Sequence, residues 1–371
     1  MKLITKFFTL FLFVILFGCN TTVDFPEPSC VDENFFSTHN SRSFDMGFTT
    51  WPFGPNLQDV DETYQFISDN ATIYTEHIDT NIPWNAWIHN LPLPAEFTNE
   101  ITSKVARKIT KNKLLLSVSL LNMDRSDLAE DFDGSTPTYT TLYDQDIEDA
   151  YFKHMDYLVN AFQPDYLVIA IEANELLIHS QDKWDEYKIL IQEVKARIKL
   201  KYPTLPISAS ITLHNLYQPD IANPITYTDE IINYANELDF VSISFYPFFK
   251  GQTTKSDFQA TFDFLHSRIT KPIAFVETAH IAENLSVSGL NLFIVGNECQ
   301  QNAYLETLLT NAQEHNYEFV IWWAHQDFDA LWETFPPELQ DLGKIWRDTG
   351  ILDESGNERL AYTTWNIAFN K

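Results

Sequence analysis

Two apolar stretches, well separated in the chain, each end in acidic side chains. Residues 165–175 carry a run of apolar residues that leads into Glu172 and Glu175, and residues 271–280 carry a second run that leads into Glu277. Continuous apolar runs of this kind are typical of strands buried on both faces of a parallel sheet. If both strands belong to one barrel, their carboxyl ends meet at the same rim. Two facing carboxyl groups are what hydrolysis of a glycosidic bond requires.

The rest of the chain alternates between strand-like and helix-like segments, with no low-complexity linker after residue 42. We predict eight strands, over residues 44–50, 71–76, 113–120, 165–171, 206–212, 239–245, 272–276 and 318–324. We predict eight intervening helices, over residues 60–68, 94–110, 144–162, 181–201, 227–238, 257–269, 300–315 and 337–346. Eight such pairs favour an α/β fold of the (β/α)8 TIM-barrel type, formed by a single domain over residues 43–371.

In such a barrel, the residues that follow the strands form the active-site rim. Glu175 and Glu277 are the predicted catalytic pair, and Glu172 either competes for the acid role or faces the barrel interior. Tyr246 and His214 follow strands between the two acids and are candidates for tuning their pKa values. The predicted substrate contacts at this rim are Trp51, His77, Trp84, Glu172, Asn174, His214, Tyr246, His280, Trp322 and Trp323. Aromatic rings at strand ends either stack on sugars or belong to the core.

These motifs carry a family resemblance. Asn174-Glu175 after the fourth strand and Glu277 after the seventh resemble the pattern of the glycoside hydrolase clan A barrels. The resemblance implies a retaining enzyme in which Glu175 is the acid/base, Glu277 is the nucleophile and Asn174 contacts the sugar 2-hydroxyl. Within the clan, residues 242–251 (Ser-Ile-Ser-Phe-Tyr-Pro-Phe-Phe-Lys-Gly) and 275–278 (Phe-Val-Glu-Thr) are similar to family 53, the arabinogalactan endo-β-1,4-galactanases. The sugar, the linkage and endo or exo action stay open.

The N-terminus has the pattern of an exported bacterial lipoprotein. Basic residues precede an apolar run over residues 7–17 that is too short to span a membrane as a helix. Residues 16–19 (Leu-Phe-Gly-Cys) resemble a lipobox, so we predict a signal peptide over residues 1–18, lipidation of Cys19 and a tether over residues 19–42. Because Asn rather than Asp follows Cys19, we predict an outer-membrane lipoprotein, at the cell surface or facing the periplasm.

The net charge argues against a nucleic-acid partner, and the cysteine content leaves one disulfide bond open. The formal net charge is −28 and becomes −30 when Lys2 and Lys6 leave with the signal, so we predict no nucleic-acid partner. In an oxidising compartment Cys30 and Cys299 either pair or stay apart, because sequence separation does not fix geometry. Neither cysteine has a second one at ligand spacing, and we predict no metal and no cofactor.

Two other functions fit parts of the sequence. A non-catalytic glycan-binding lipoprotein would keep the tryptophans but has no need of two rim acids. A metal-dependent barrel hydrolase would start with His-x-His after the first strand, where this chain has Thr-Thr-Trp, and would use the rim histidines His77, His214, His280 and His325. The acidic insertion over residues 122–143 binds calcium or, as we prefer, is a solvated loop. The favoured prediction is a glycoside hydrolase that acts on a β-linked polysaccharide or oligosaccharide.

Overall fold

The computed structural model describes residues 30–32, 34–79 and 81–371. The signal peptide predicted over residues 1–18, the lipidation site Cys19 and the first part of the predicted tether lie outside the described residues. No helix in the described part of the chain combines the length and apolarity that a membrane crossing requires.

A nine-stranded parallel sheet, in the order β5-β4-β3-β2-β1-β11-β8-β7-β6, forms the centre of the fold. Its strands are β1 (Asp45–Thr49), β2 (Ile73–Ile78), β3 (Lys113–Val118), β4 (Tyr166–Val168), β5 (Ile207–Ser208), β6 (Ser210–Thr212), β7 (Val241–Phe245), β8 (Ile273–Thr278) and β11 (Phe319–Trp322). Only Ala209 separates β5 from β6, so these two strands are halves of one barrel strand and the sheet closes. The predicted (β/α)8 barrel is therefore confirmed.

Helices surround the barrel and cover its apolar strands. They are α1 (Leu57–Asn70), α2 (Trp84–His89), α3 (Ala95–Ala106), α4 (Gln145–Phe162), α5 (Glu175–His179), α6 (Trp184–Lys201), α7 (Leu213–Tyr217), α8 (Pro224–Glu237), α9 (Lys255–Arg268), α10 (Glu298–Glu314), α11 (Asp329–Trp332), α12 (Pro337–Arg347) and α13 (Leu360–Phe369). All eight predicted helices are present with ends displaced by a few residues. The short helices α2, α5, α7 and α11 and the terminal α13 were not predicted, nor was the antiparallel hairpin of β9 (Leu285–Val287) and β10 (Leu292–Ile294).

Strand β2 shows how alternation assigns neighbouring side chains to different roles. Glu76 and His77 lie inside the strand rather than after it, and consecutive strand residues point to opposite faces. Glu76 is fully buried toward the helices, where it accepts a 2.6 Å hydrogen bond from Tyr64 and a 3.2 Å one from Lys104. Glu76 is therefore a structural acid that does not reach the cavity. His77 points to the cavity at the C-terminal rim.

The N-terminal segment is attached to the outer helical layer. Cys30 and Cys299 form a disulfide across a Cα–Cα distance of 5.2 Å, joining this segment to α10. Nearby, the Asp32 amide donates to the Glu306 carboxylate, and the Asn302 side chain donates to the Cys30 carbonyl. The pairing that the sequence left open is thus present.

Loss of this disulfide should destabilise the protein. Because it closes a loop of 269 residues, we expect the double variant Cys30→Ser/Cys299→Ser to lose about 2–5 kcal/mol of unfolding free energy. Urea unfolding of the variant and of the wild type, the latter with and without reductant, measures the difference. Coincident transitions for all three samples would show that the link contributes nothing.

Candidate active site

A cavity of about 390 Å³ lies at the C-terminal ends of the barrel strands. Its polar lining consists of His77, Asp79, Arg125, Glu172 and Glu277. Glu175, the acid that the sequence favoured, is not part of this lining. The structure thus brings Glu277 together with Glu172, the competing candidate.

Glu277 lies in β8 and is only 7% exposed. The Tyr246 hydroxyl donates a 2.5 Å hydrogen bond to Oε1, and His77 Nδ1 lies 3.7 Å from Oε2. Burial raises the pKa of the Glu277 carboxyl, while His77 and the Tyr246 hydroxyl favour its charged form and partly offset that rise. The Tyr246 hydroxyl and the neighbouring imidazole both favour the charged form, which is the form that a carboxylate nucleophile needs.

His77 connects the nucleophile candidate to a second acid. Its Nε2 atom lies 3.9 Å from Asp79, and its ring edge packs against Trp323 at 5.3 Å. Burial lowers the pKa of the imidazole, but Asp79 and Glu277 outweigh this effect, and the pKa of His77 is raised overall. When protonated, the imidazole counterbalances the carboxylates on either side of it.

Glu172 lies in a turn that follows β4, at a left-handed φ of 52°. Its amide donates to Ser210 Oγ at 2.8 Å, and Ser244 Oγ donates to its carboxylate at 2.8 Å. Desolvation raises the pKa of Glu172 to about 7; Arg125 opposes that rise, and the negative charges of Glu277 and Glu175 add to it. A carboxyl group that keeps its proton near neutral pH can act as a general acid.

Arg125 is an active-site residue that the sequence analysis missed. Its guanidinium pairs with both oxygens of Asp79, at 3.0 and 2.7 Å, and lies 3.4 Å from the Glu172 carboxylate. Arg125 and His77 hold the pKa of Asp79 well below its usual range despite desolvation. Arg125 is the only basic residue in the acidic insertion over residues 122–143, which was the available signal. The insertion is thus more than the solvated loop that we predicted.

Glu175 is the first residue of the short helix α5, and both oxygens of its carboxylate accept hydrogen bonds from neighbouring side chains. Thr212 Oγ1 donates to Oε1, Asn215 donates to both oxygens at 2.9 and 3.0 Å, and His179 Nε2 lies 3.7 Å away. Burial raises the pKa of Glu175, but hydrogen bonds from His179, Thr212 and Asn215 outweigh it and leave the pKa below its usual value. An ionised group of this kind is a poor general acid. In this structure Glu172, and not Glu175, lines the cavity with Glu277 and has the raised pKa that a general acid needs.

Asn174 fixes the turn that carries Glu172. Its fully buried amide donates to Thr212 Oγ1 at 2.9 Å and to the Tyr227 hydroxyl at 2.7 Å, and its oxygen accepts from the Thr212 amide at 2.7 Å. These contacts occupy the side chain on the side of β6. The predicted contact with the sugar 2-hydroxyl is therefore corrected to a structural role.

Four other predicted contacts lie away from the cavity. His214 packs on Phe249 and near Glu175, and burial lowers the pKa of its imidazole to about 4. Trp84 and Trp322 are buried core residues whose indole nitrogens donate to the carbonyls of residues 129 and 349. His280 is fully buried, with its two ring nitrogens 3.0 and 3.2 Å from backbone carbonyls. These four assignments are corrected because protein groups, rather than the cavity, surround the side chains.

Trp51 and Trp323 do line the cavity, as predicted. Their rings lie 5.5 Å apart at an interplanar angle of 33°. Neither indole N–H has a hydrogen-bond acceptor among the residues that the structure describes, although both atoms are buried. The two rings are therefore candidates for stacking on a sugar, as the sequence predicted for aromatic residues at this rim.

The rim histidines do not converge on one point. His77 contacts Glu277, whereas His325 packs against Phe53 and Phe66 in the outer layer. Within the described ranges, one group of three possible metal ligands lies close together, namely Glu283, Asp327 and Glu354. Arg359 already pairs with Glu283 and Asp327, at 2.8 and 2.5 Å. The geometry that a His-based metal hydrolase needs is therefore not formed by these four histidines.

A closed barrel of parallel strands with two carboxyl groups in one cavity at its C-terminal rim defines a glycoside hydrolase. A glycan-binding protein would need neither acid. Comparison with known families agrees, because residues 142–313 match the model of glycosyl hydrolase family 53. The match spans a little under half of the chain and includes both Glu172 and Glu277. The chain is a glycoside hydrolase that resembles family 53, and the predicted resemblance is confirmed. No curated protein matches the sequence.

Solved structures share the barrel at low sequence identity. A family 53 catalytic domain from Ignisphaera aggregans is 15% identical, with a TM-score of 0.55 over 90% of this chain and 92% of that one. A family 5 (subfamily 18) variant from Bifidobacterium longum, in complex with Manβ1-4GlcNAc, is 12% identical, with a TM-score of 0.62 over 88% and 78%. An exo-β-1,4-mannosidase from Opitutaceae bacterium strain TAV5 is 11% identical, with a TM-score of 0.60 over 88% and 59%. These similarities establish the fold.

The pKa of Glu172 predicts the alkaline limit of activity. A general acid works only while protonated, so kcat/KM should fall as the pH rises through about 7. Glu175→Gln removes a negative charge that raises this pKa, so its alkaline limb should move to lower pH. A pH series of kcat/KM on an unactivated substrate measures both. Constant activity well above that pH in the wild type would contradict the assignment.

Proposed function

We propose that this chain is a retaining glycoside hydrolase of β-linked oligosaccharides or polysaccharides, with Glu277 as nucleophile and Glu172 as acid/base. The observation that carries the proposal is the presence of both carboxyl groups in one cavity with unlike surroundings. Glu277 accepts a hydrogen bond from Tyr246 and lies beside His77, whereas the pKa of Glu172 is raised to about 7. Retention requires the two carboxyl groups to lie about 5–5.5 Å apart.

In the first step Glu172 donates its proton to the glycosidic oxygen as the leaving group departs. The Glu277 carboxylate attacks the anomeric carbon and forms a covalent glycosyl-enzyme ester. In the second step Glu172, now a carboxylate, takes a proton from water. That water attacks the anomeric carbon, breaks the ester bond and releases Glu277 with overall retention of configuration.

The charge pattern lets Glu172 change roles between the two steps. The negative charge of Glu277 is one cause of the raised pKa of Glu172. Formation of the ester neutralises Glu277, which removes this cause, while the Arg125 guanidinium stays 3.4 Å from Glu172. The pKa of Glu172 therefore falls in the intermediate, as a general base for water requires.

The match to family 53 and the similarity of residues 242–251 and 275–278 support a β-1,4-galactan as substrate. Galactan and the oligosaccharides derived from it are therefore the first substrates to test, beside a panel of other plant and algal β-glycans. Product anomers and sizes, followed by NMR and chromatography, identify the sugar and the linkage.

Azide rescue separates the two acids by role. Glu172→Ala should lose roughly 10²–10⁴-fold of the activity on unactivated substrates but keep the first step on aryl glycosides with good leaving groups. Added azide should then restore turnover and give a glycosyl azide of retained configuration. Glu277→Ala should lose activity on every substrate, and azide should give the inverted product.

Glu175→Ala is the matched control for this experiment, since it removes a neighbouring acid that does not line the cavity. It should hydrolyse unactivated substrates without azide. If azide rescues Glu175→Ala and not Glu172→Ala, the acid/base role belongs to Glu175. Full activity in Glu277→Ala would reject the retaining mechanism.

We further propose that the enzyme is exported and anchored in the outer membrane through a lipid on Cys19. The support is the lipobox-like segment before Cys19, together with the Cys30–Cys299 disulfide, because disulfides persist in oxidising compartments. An enzyme displayed there would meet polysaccharides that cannot enter the cell.

Replacement of Cys19 tests the anchor. The wild-type protein should partition with membranes, and Cys19→Ala should appear in the soluble fraction because the acyl chains have no attachment point. Fractionation with a detergent phase, and mass spectrometry of the N-terminal peptide, give the readout. A Cys19→Ala protein that is cleaved yet still fully membrane-bound would contradict the proposal.

A further inference from the structure

One wall of the cavity takes no part in the proposed mechanism. It comes from residues 328–346, which follow β11, contain α11 and most of α12, and are called the cap here. Its contribution to the lining is largely apolar, from Phe328, Phe335, Pro336, Leu339, Leu342 and Trp346. A site that only had to admit a long polysaccharide would have no use for a wall at this position.

The cap is tightly packed within itself. The Trp332 indole nitrogen donates to the Gln340 carbonyl at 2.6 Å, which joins α11 to α12. A Cβ atom at Gly343 would lie 3.0 Å from the Phe335 ring and 3.2 Å from Trp332, so glycine allows these side chains to close over the helix. The cap is therefore a formed wall and not a loose loop.

Polar contacts hold the two helices of the cap together and attach it to a neighbouring loop. Arg347, the last residue of α12, lies over the Trp332 ring at 4.8 Å and pairs with Asp329 of α11 at 3.3 Å. Asp341 accepts a hydrogen bond at 2.6 Å from the amide of Gly289, in the turn of the β9–β10 hairpin. The first contact joins α11 to α12, and the second attaches the cap to the hairpin.

The cap stands opposite the general acid. The sheet order places β11, from which the cap leaves, four strands away from β4, which leads to Glu172, so the two lie on opposite sides of the barrel. Within the cap, Trp346 packs edge-on against Tyr246, which donates to Glu277. The acid protonates the leaving oxygen, so the leaving group lies toward Glu172 and the glycone lies toward the cap.

The size of the cavity limits what fits on the glycone side. About 390 Å³ corresponds to the volume of about 13 water molecules, which is room for one or two sugar rings. A chain that continued toward its non-reducing end would meet Phe335, Leu339 and Leu342. A glycone that is a chain end therefore fits against this wall.

The charges in the cavity select against an acidic sugar. Arg125 is the one arginine or lysine in the lining, and it already pairs with Asp79 and Glu172. A uronic acid carboxylate would approach Asp79, Glu172 and Glu277 without a free cation to receive it. The glycone is thus a neutral sugar.

We propose that the enzyme releases neutral sugars from the non-reducing ends of β-linked chains, because the cap closes the glycone side of its active site. This inference rests on the proposed function and deepens it from glycosidase to exo-acting glycosidase. It predicts that short oligosaccharides and aryl glycosides of a single sugar are substrates, and that long chains are shortened from one end.

Timed digestion of oligosaccharides that are labelled by reduction at their reducing end tests the proposal. The wild type should release a single small product, one or two sugars long, from the earliest time point. The labelled fragments should shorten stepwise by that same unit. Chromatography of the labelled and unlabelled products distinguishes this pattern from random internal cleavage.

A cap variant tests whether the wall is the cause. Leu339→Ala/Leu342→Ala removes apolar volume from the wall, and longer glycone products should rise severalfold as a share of all products. Glu338→Ala is the matched control, because it alters an exposed residue on the same helix that does not line the cavity. Its product pattern should equal that of the wild type.

The outcomes separate the two proposals. Early products of intermediate length from the wild type would overturn exo action, while the hydrolysis itself would support the proposed function. A product pattern in the Leu339→Ala/Leu342→Ala protein identical to that of the wild type would reject the cap as the cause. A folded wild-type protein that cleaves no aryl glycoside, oligosaccharide or polysaccharide would overturn the proposed function, and exo action with it.

Discussion

The active site depends on balancing three carboxyl groups that lie close together in a partly desolvated cavity. Arg125 pairs with Asp79 and lies beside Glu172, and His77, a second cation when its imidazole is protonated, lies between Asp79 and Glu277. Three negative charges against two positive ones would leave an uncompensated charge in a medium that stabilises charge poorly. A proton on one acid removes the excess. Desolvation raises the pKa of both Glu172 and Glu277, and the charge of Glu175 adds to the rise at Glu172, which favours Glu172 as the holder of this proton.

This balance requires the chain to adopt costly backbone conformations at two points. Glu172 and Arg125 both have left-handed φ angles, of 52° and 57°. Non-glycine residues in this region persist only where the surroundings enforce them, and they cluster at functional sites. Asn174 enforces the turn at Glu172 through Thr212 and Tyr227. Strain at these positions is therefore coupled to the placement of the acid and of its counter-ion.

The sequence was sufficient for the barrel because the apolar runs and helical patterns recur eight times, and each signal is local. It also placed Glu277, His77, Trp51 and Trp323 correctly, since buried strands bring their ends to one rim. It could not separate Trp322 from Trp323, because neighbouring strand residues face opposite sides and the register is set by tertiary packing.

The choice between Glu172 and Glu175 depended on a turn whose left-handed residue carries no sequence signature. Arg125 was missed for a related reason, since a contact across 47 residues of chain leaves no local pattern. Glu172 and Arg125 both lie in irregular backbone with left-handed φ angles. Regular elements are predicted by periodicity, whereas such segments take their shape from the contacts that they make.

Glu175 nevertheless has a physical part in the site. Thr212, Asn215 and His179 keep it ionised, and its negative charge is among the causes that raise the pKa of Glu172. Desolvation is the first cause of the raised pKa of Glu172, the charges of Glu277 and Glu175 add to it, and Arg125 and Ser244 oppose it. At Glu175 the same desolvation is outweighed by hydrogen bonds from His179, Thr212 and Asn215. The two acids therefore differ in the balance between burial and their charged and polar neighbours, and this balance favours Glu172 as the proton donor.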